Sequence, residues 1–360
     1  MLLTVPHLKS NASPYNALMA IARHLPREEF HLTVCSLRND GHHETIPVLR
    51  ELGVPAFVSR MRPRGRRLRH IFASLRDQRE IASRGPFDIQ HSLDFTPSFI
   101  EGLFAKLAGR RFVFSQRNLN PRGSRRSLRA KIALARRIVA NSDAVHQFLI
   151  AQGAAPGKIT TIYVGLEESA QLKRPAVPGG ELRLLAVGQL VGRKRHEDAI
   201  RALALLRDLP GLRLDIAGPV FDSTYRDRLE ALVAELGLTN RVALLGPRDD
   251  VRELMQNAAC LVLCSDSEAF ANVLVEAMAA GLPVVSSAVD GSKEAVVDGE
   301  TGFLVPVGDV EGYARAIRRI LEDPALARRM GERALGVVAE KYSAPRMAAQ
   351  VAAVYRAALD

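Results

Sequence analysis
The strongest constraint on this chain is an alternation of short apolar runs with amphipathic stretches, broken once. Runs at 30–34, 111–114 and 138–140 have the length and composition of strands, and stretches at 13–24, 66–83 and 95–108 have helical periodicity. Strand and helix in alternation predict a parallel sheet covered on both faces. The rhythm stops at 167–180, where two prolines and two glycines fall in a stretch with little apolar content. That composition predicts an interdomain linker. A buried run at 182–187 restarts the pattern, and 212–217, 242–245, 261–263 and 283–286 continue it. With 360 residues, two domains fit better than one. The expected division is 1–166, a linker at 167–180, 181–342, and a last helix within 343–360. Two similar α/β domains with a cleft between them is the economical architecture, and ligands of open α/β sheets sit at the carboxyl ends of the strands.

Apolar residues make up 47% of the chain, enough for a core in each half. Three cysteines, Cys35, Cys260 and Cys264, do not make a disulfide framework. Cys260 and Cys264 fall on one face of a buried run and are expected in a core. No stretch reaches the roughly 18 apolar residues of a membrane helix, and residues 1–6 are too short and uncharged for a signal peptide. A cytoplasmic location is the expectation.

The net charge of +11 is unevenly spread. Residues 1–175 hold 28 Lys and Arg against 13 Asp and Glu, a net of +15, and the remainder holds 22 against 26, a net of −4. Arg60, Arg62, Arg64, Arg66, Arg67 and Arg69 form the densest cluster, and Arg122, Arg125, Arg126, Arg129 and Lys131 a second. An anionic surface is the expected partner, with the inner face of a membrane as first candidate and the protein peripheral on it. Nucleic acid is not expected, because no aromatic residues interleave with the arginines to stack on bases.

The stretch 265–285 carries the chemistry. A strand ends near Cys264, a helix begins near Ala271, and Gly281 follows its end. The N–H groups of Asn272, Val273 and Leu274 lie in the first turn, where helical partners are missing and the dipole favours anions. The small Ala269 and Ala271 let a phosphate approach the backbone. Glu268 in the loop and Glu276 in the helix bracket this site, and a carboxylate can accept from both hydroxyls of a ribose.

This segment, Glu268-x7-Glu276 followed by Ala277-Met278-Ala279-Ala280-Gly281-Leu282-Pro283-Val284-Val285, resembles the E-x7-E stretch of glycosyltransferase family 4, the group 1 glycosyltransferases. In family order, 187–194 resembles the strand and basic loop after the linker, 216–219 a glycine turn, 294–305 a late hairpin and 343–359 the last helix. The resemblance covers nearly all of 138–360. It implies the GT-B fold: two Rossmann-like α/β/α domains facing a central cleft, an acceptor-side N-terminal domain, a donor-side C-terminal domain, and a last helix that crosses back to the N-terminal one. It also implies retaining, metal-independent transfer, of hexosyltransferase type, from a nucleotide sugar. The UDP- or GDP-sugar is a substrate, and neither cofactor nor metal is expected. The acceptor would be a glycan or lipid-linked sugar of the cell envelope. No Asp-x-Asp pair is present to hold a metal, so leaving-group charge would fall to donors and cations. By carry-over, Glu268 lies near the reacting centre, Glu276 holds the ribose, and Asn272, Val273 and Leu274 hold the diphosphate. Lys194, with Arg193 beside it, is the cation. Ala269, Phe270, Ala271 and Gln189 complete the donor set.

The chain departs from the family pattern in places. Gln189 stands where many members have Arg, and Glu268-Ala269-Phe270 replaces Glu-Gly-Phe. Leu8-Lys9-Ser10-Asn11-Ala12-Ser13-Pro14 stands where many carry a glycine pair, and Val164-Gly165 where Asn-Gly is common. On the N-terminal side, Gln116, Arg117 and Asn118 are expected at strand ends facing the cleft as acceptor or sugar contacts, with His91 as a further candidate. The departures leave a second reading, a GT-B-fold protein that binds nucleotide sugars without catalysis.

Overall fold
The computed structural model describes residues 1–8, 14–37, 44–59, 81–93, 98–119, 124–167 and 182–360. The chain divides into two compact units, Met1–Gly165 with Ser343–Asp360, and Leu166–Tyr342. The sequence's linker, apart from Glu167, the Arg60–Arg69 cluster, Arg122 and residues 9–13 fall outside the described residues.

In the first unit the described strands are β1 (Leu2–Val5), β2 (Thr33–Ser36), β3 (Ala56–Val58), β4 (Ile89–Ser92), β5 (Arg111–Gln116), β6 (Arg137–Ala140) and β7 (Ile159–Thr161). They pair in the order β3-β2-β1-β4-β5-β6-β7, every pair parallel. All four residues of β1 are buried, as a strand covered on both faces requires. One face packs Leu3, Val5 and Val34 against α1 (Tyr15–His24) and the last helix of the chain, Ala344–Leu359. That helix carries Met347, Val351, Val354, Tyr355 and Ala358 at helical spacing, all buried in the same core. Leu2, Cys35, Phe57 and Ile81 pack on the other face. The remaining described helices are α2 (Thr45–Glu51), α3 (Ile100–Leu107), α4 (Arg125–Leu134) and α5 (Asp143–Ala151).

The strand expected at 30–34 begins later, at Thr33. Phe30 donates its N–H to Pro26 O (3.0 Å) and closes a turn. Its ring meets Tyr355 edge-on at 5.6 Å, so its apolar character serves the core rather than a strand.

The second unit repeats the plan with β8 (Arg183–Val187), β9 (Arg213–Ala217), β10 (Val242–Gly246), β11 (Cys260–Leu263), β12 (Val284–Ser287) and β13 (Gly302–Val305) in the parallel order β10-β9-β8-β11-β12-β13. Its described α-helices are α6 (His196–Ala204), α7 (Ser223–Glu235), α8 (Val251–Asn257), α9 (Asn272–Ala279), α10 (Asp290–Ala295), α11 (Val310–Glu322) and α12 (Pro324–Lys341); the last helix of the first unit is α13. Side-chain caps fix several starts: Asp222 accepts from Tyr225 N, Asp309 from Gly312 N and Asp323 from Leu326 N. Cys260 and Cys264 are buried and part of one core with Val262. Residues 294–305 do not form a hairpin. Gly299 donates to Gly302 O (2.8 Å), and β13 then pairs parallel to β12. A tight loop returns the chain to a parallel edge, where an antiparallel partner has no place.

Candidate functional site
In the second sheet the strand order reverses between β8 and β11. The loops that leave the carboxyl ends of these neighbouring strands diverge there and leave a crevice. The loop after β8 runs through a 3-10 turn, Gly192–Lys194, into α6. The loop after β11 runs from Cys264 to α9. A backbone bond from Asp266 N to Arg193 O (3.0 Å) ties the two together.

Lys194 and Glu268 meet across this tie. Lys194 Nζ donates to Glu268 Oε1 at 2.6 Å, with side chains 11% and 9% exposed. Ser265, fully buried at the end of β11, donates its Oγ to the same oxygen at 2.6 Å. Gly291 N donates to Glu268 O (3.2 Å) and holds the loop from the α10 side. Glu268 is therefore fixed at both backbone and carboxylate. Among the described residues Lys194 spends one of its three donors, on Glu268, and keeps two.

The turn is held from below by Arg195, the only non-glycine residue with positive φ (48°) among those described. Such a backbone costs on the order of 1–2 kcal/mol. Arg195 offsets it with two charge-assisted bonds to Asp198, 2.7 and 3.1 Å, whose side chain is 2% exposed. The next turn, after β9, abuts this loop. A Cβ on Gly218 would fall 1.8 Å from Gly188 O, so only glycine fits. Beyond it Leu190 N donates to Pro219 O (3.0 Å). Gln189 is half-buried, and its carbonyl accepts from Val191 N (3.0 Å) and faces His196 Nε2 (3.3 Å). Burial pushes the His196 pKa down to about 4. Arg193 is exposed.

At α9 the first turn is partly closed. Leu274 N donates to Ala271 O (3.0 Å), so this N–H is not available to an anion, contrary to the reading from sequence. Asn272 and Val273 keep theirs, and Asn272 Oδ1 is buried without a partner among the described residues. Ala269 is half-buried, Ala271 buried. Phe270 is buried and its ring lies 6.0 Å from that of Tyr342; it anchors the loop. Glu276 is half-buried, and among the described residues no group donates a hydrogen bond to its carboxylate. Burial raises its pKa, partly countered by Arg252. An acceptor held this way lacks donors, and a ligand bearing hydroxyls would supply them.

The acceptor-side candidates have different surroundings. His91 is fully buried: Nδ1 lies 2.7 Å from Tyr355 Oη and Nε2 2.9 Å from Ser115 Oγ. Both ring nitrogens are used, and burial, with Lys131 nearby, lowers its pKa to about 3. It fastens α13 to the sheet and offers nothing to an acceptor. Gln116 is buried at the end of β5 and donates to Asn118 O (3.0 Å) and Oδ1 (2.5 Å), leaving its own Oε1 without a partner among the described residues. Arg117 and Asn118 are half-buried, and burial lowers the Arg117 pKa to about 10.

Ser265, Arg195 and Asp198 were missed from the sequence. Only Ser265, inside the 265–285 stretch, carried a signal there. The Arg195–Asp198 spacing is common on helices and says nothing until the backbone is known.

Among the described residues no helix is long and apolar enough to cross a membrane. The family model Glycosyl transferases group 1 matches residues 168–336, and Glycosyltransferase Family 4 matches 16–169. The lipopolysaccharide core biosynthesis glycosyltransferase LpsE of Rhizobium meliloti is 38% identical over 150 residues, 42% of this chain and 42% of that one. The D-inositol 3-phosphate glycosyltransferase of Streptomyces avermitilis is 33% identical over 248 residues, 64% of this chain and 53% of that one. The chain spans about half the length of these curated relatives. Anabaena HepE, solved in complex with UDP and glucose, superposes with a TM-score of 0.84 at 22% identity, over 99% of this chain and 98% of that one. That likeness shows the fold, GT-B. With both halves matched, the chain belongs to glycosyltransferase family 4, the group 1 glycosyltransferases.

Proposed function
We propose that the chain is a retaining, metal-independent hexosyltransferase that moves a sugar from a UDP- or GDP-sugar to a glycan or lipid-linked acceptor of the cell envelope. The observation that carries the reading is the Lys194–Glu268 pair in the loops before the α9 N-terminus at the strand-order reversal, with Glu276 about one turn into α9 and its carboxylate without a hydrogen-bond donor among the described residues. Glu276 accepts from the ribose hydroxyls. The N–H groups of Asn272 and Val273 and the α9 dipole hold the diphosphate. Lys194 turns its two remaining donors to the phosphates, and exposed Arg193 adds charge from the same turn. As the sugar–phosphate bond breaks, these groups stabilise the negative charge on the leaving diphosphate. Glu268, held by Lys194 and Ser265, faces the sugar near the reacting carbon. Gln189 contributes hydrogen bonding without charge, which places more of the leaving-group stabilisation on Lys194. Gln116, Arg117 and Asn118 lie at the carboxyl end of β5 and contact the acceptor.

HepE binds UDP, which makes uracil the first base to try, and LpsE, a lipopolysaccharide core enzyme, supports an envelope acceptor. The test is transfer from UDP- and GDP-sugars to lipid-linked and oligosaccharide acceptors, with product anomers assigned by NMR and a chelator arm. Retained configuration, undiminished by chelator, supports the proposal. Inverted product or loss of activity in chelator refutes those parts of it. Nucleotide-sugar binding with neither transfer nor hydrolysis would favour the non-catalytic reading.

A further inference from the structure
Helix α3 is amphipathic in the wrong sense for a surface helix. Its inward face is small and polar. Gly102 and Ala105 are buried on the sheet, and a Cβ on Gly102 would lie 2.7 Å from the Phe112 ring. Glu101 also points inward and accepts from Thr4 Oγ1, from Gln90 Nε2 (3.1 Å) and from Ser92 Oγ (2.7 Å). The large apolar side chains therefore face out. Phe99, Leu103 and Leu107 follow at i, i+4 and i+8 and are 36%, 38% and 72% exposed, with Ile100 and Phe104 half-buried beside them. Of the eight large apolar side chains exposed among the described residues, three stand on this one stripe, which is too ordered for scattered surface leucines.

What covers the stripe is indicated by its neighbour. Helix α4 packs against α3 and exposes Arg125, Arg126 and Arg129. No ion pair among the described residues joins any of the three to a carboxylate. Arg125 and Arg126 open the helix, and its first turn has no acidic residue. They add positive charge at the positive end of the dipole, which is unfavourable until an outside anion offsets it. Exposed Lys106 lies on α3 itself. An apolar stripe beside a cationic helix matches an anionic bilayer surface, where side chains enter the headgroup boundary and arginines meet lipid phosphate.

We propose that the α3–α4 face docks on an anionic lipid surface, with Phe99, Leu103 and Leu107 inserted and Arg125, Arg126 and Arg129 on the phosphates. This extends the reading of a lipid-linked acceptor and gives it a specific surface. The experiment is co-sedimentation of the full chain with vesicles of phosphatidylglycerol or of phosphatidylcholine, alongside UDP titration of the same proteins in free solution. Wild type should bind the anionic vesicles and ignore the neutral ones. Leu103→Ser with Leu107→Ser should weaken binding about ten-fold or more, with little added salt dependence. Arg125→Gln, Arg126→Gln and Arg129→Gln together should weaken it roughly a hundred-fold and flatten its salt dependence. Leu205→Ser, an exposed leucine of the second unit, is the control and should change nothing. Vesicle binding unchanged in both sets would overturn the proposal. So would a dimer in vesicle-free solution that the leucine variants dissolve while vesicle binding persists, since the stripe would then be a contact between copies. UDP binding that survives while vesicle binding is absent leaves the donor site standing and removes only this surface.

Discussion

Acidification from about pH 7 to about pH 4.5 should destabilise the first unit through one residue, His91. Its ring is buried between Tyr355 and Ser115, and its pKa falls from 6.5 to about 3. Between these values the unfolded chain holds a proton that the folded chain refuses. Stability is therefore complete above pH 6.5 and is lost as pH falls toward 3. At 1.36 kcal/mol per unit, a fall to pH 4.5 covers two of the available units and costs about 3 kcal/mol, a hundred-fold in the unfolding equilibrium. The assay is urea unfolding followed by far-UV circular dichroism at both pH values, for wild type and His91→Gln. The variant can still meet Tyr355 and Ser115, and its absolute stability does not matter. The readout is the pH-dependent drop, which should shrink by about 3 kcal/mol. His196, lowered to about 4 by burial, contributes in both proteins and cancels. A drop that differs by less than about 1 kcal/mol between the two would show that His91 titrates normally and that its burial carries no such penalty.

Ser265→Ala removes one of two donors to Glu268 Oε1; kcat should fall about ten-fold with donor KM little changed, as steady-state kinetics would show. An unchanged kcat would mean that Lys194 alone positions the carboxylate. Asp198→Asn strips the charge that holds Arg195 in its left-handed backbone; a loss of about 3 kcal/mol in stability and weaker UDP binding are expected, by thermal unfolding and calorimetry. Stability within about 0.5 kcal/mol of wild type would remove the bridge as the brace of the Lys194 turn.

Much of the sheet architecture was legible because parallel strands buried on both faces must be continuous apolar runs. The runs that became β5, β6, β8, β9 and β11 are of this kind. Phe30 shows where the signal fails: an aromatic at a strand's edge reads as strand, yet a turn back to Pro26 and the Tyr355 ring claim it. The loop-and-helix segment around Glu268 and Glu276 was legible because short motifs there depend on local backbone. What escaped depends on distant partners. His91 looked like a strand-end contact until α13, 264 residues away, placed Tyr355 on its ring. Leu274 looked like a free donor until the first turn of α9 closed on Ala271. The α3 stripe went unnoticed because amphipathic periodicity gives a helix's apolar face but not the direction in which it points. Phe112 against Gly102 and the inward hydrogen bonds of Glu101 settle that.

The central claim, a donor site at the β8–β11 reversal, is tested most directly by calorimetric titration of UDP, GDP and ADP and their sugar conjugates into wild type and Glu276→Ala. The account predicts saturable binding of one nucleotide by wild type. It should weaken by about 1.5–3 kcal/mol, ten- to a hundred-fold, when the ribose acceptor is removed. Binding of equal strength in the variant, or no binding of any nucleotide by wild type, would contradict it.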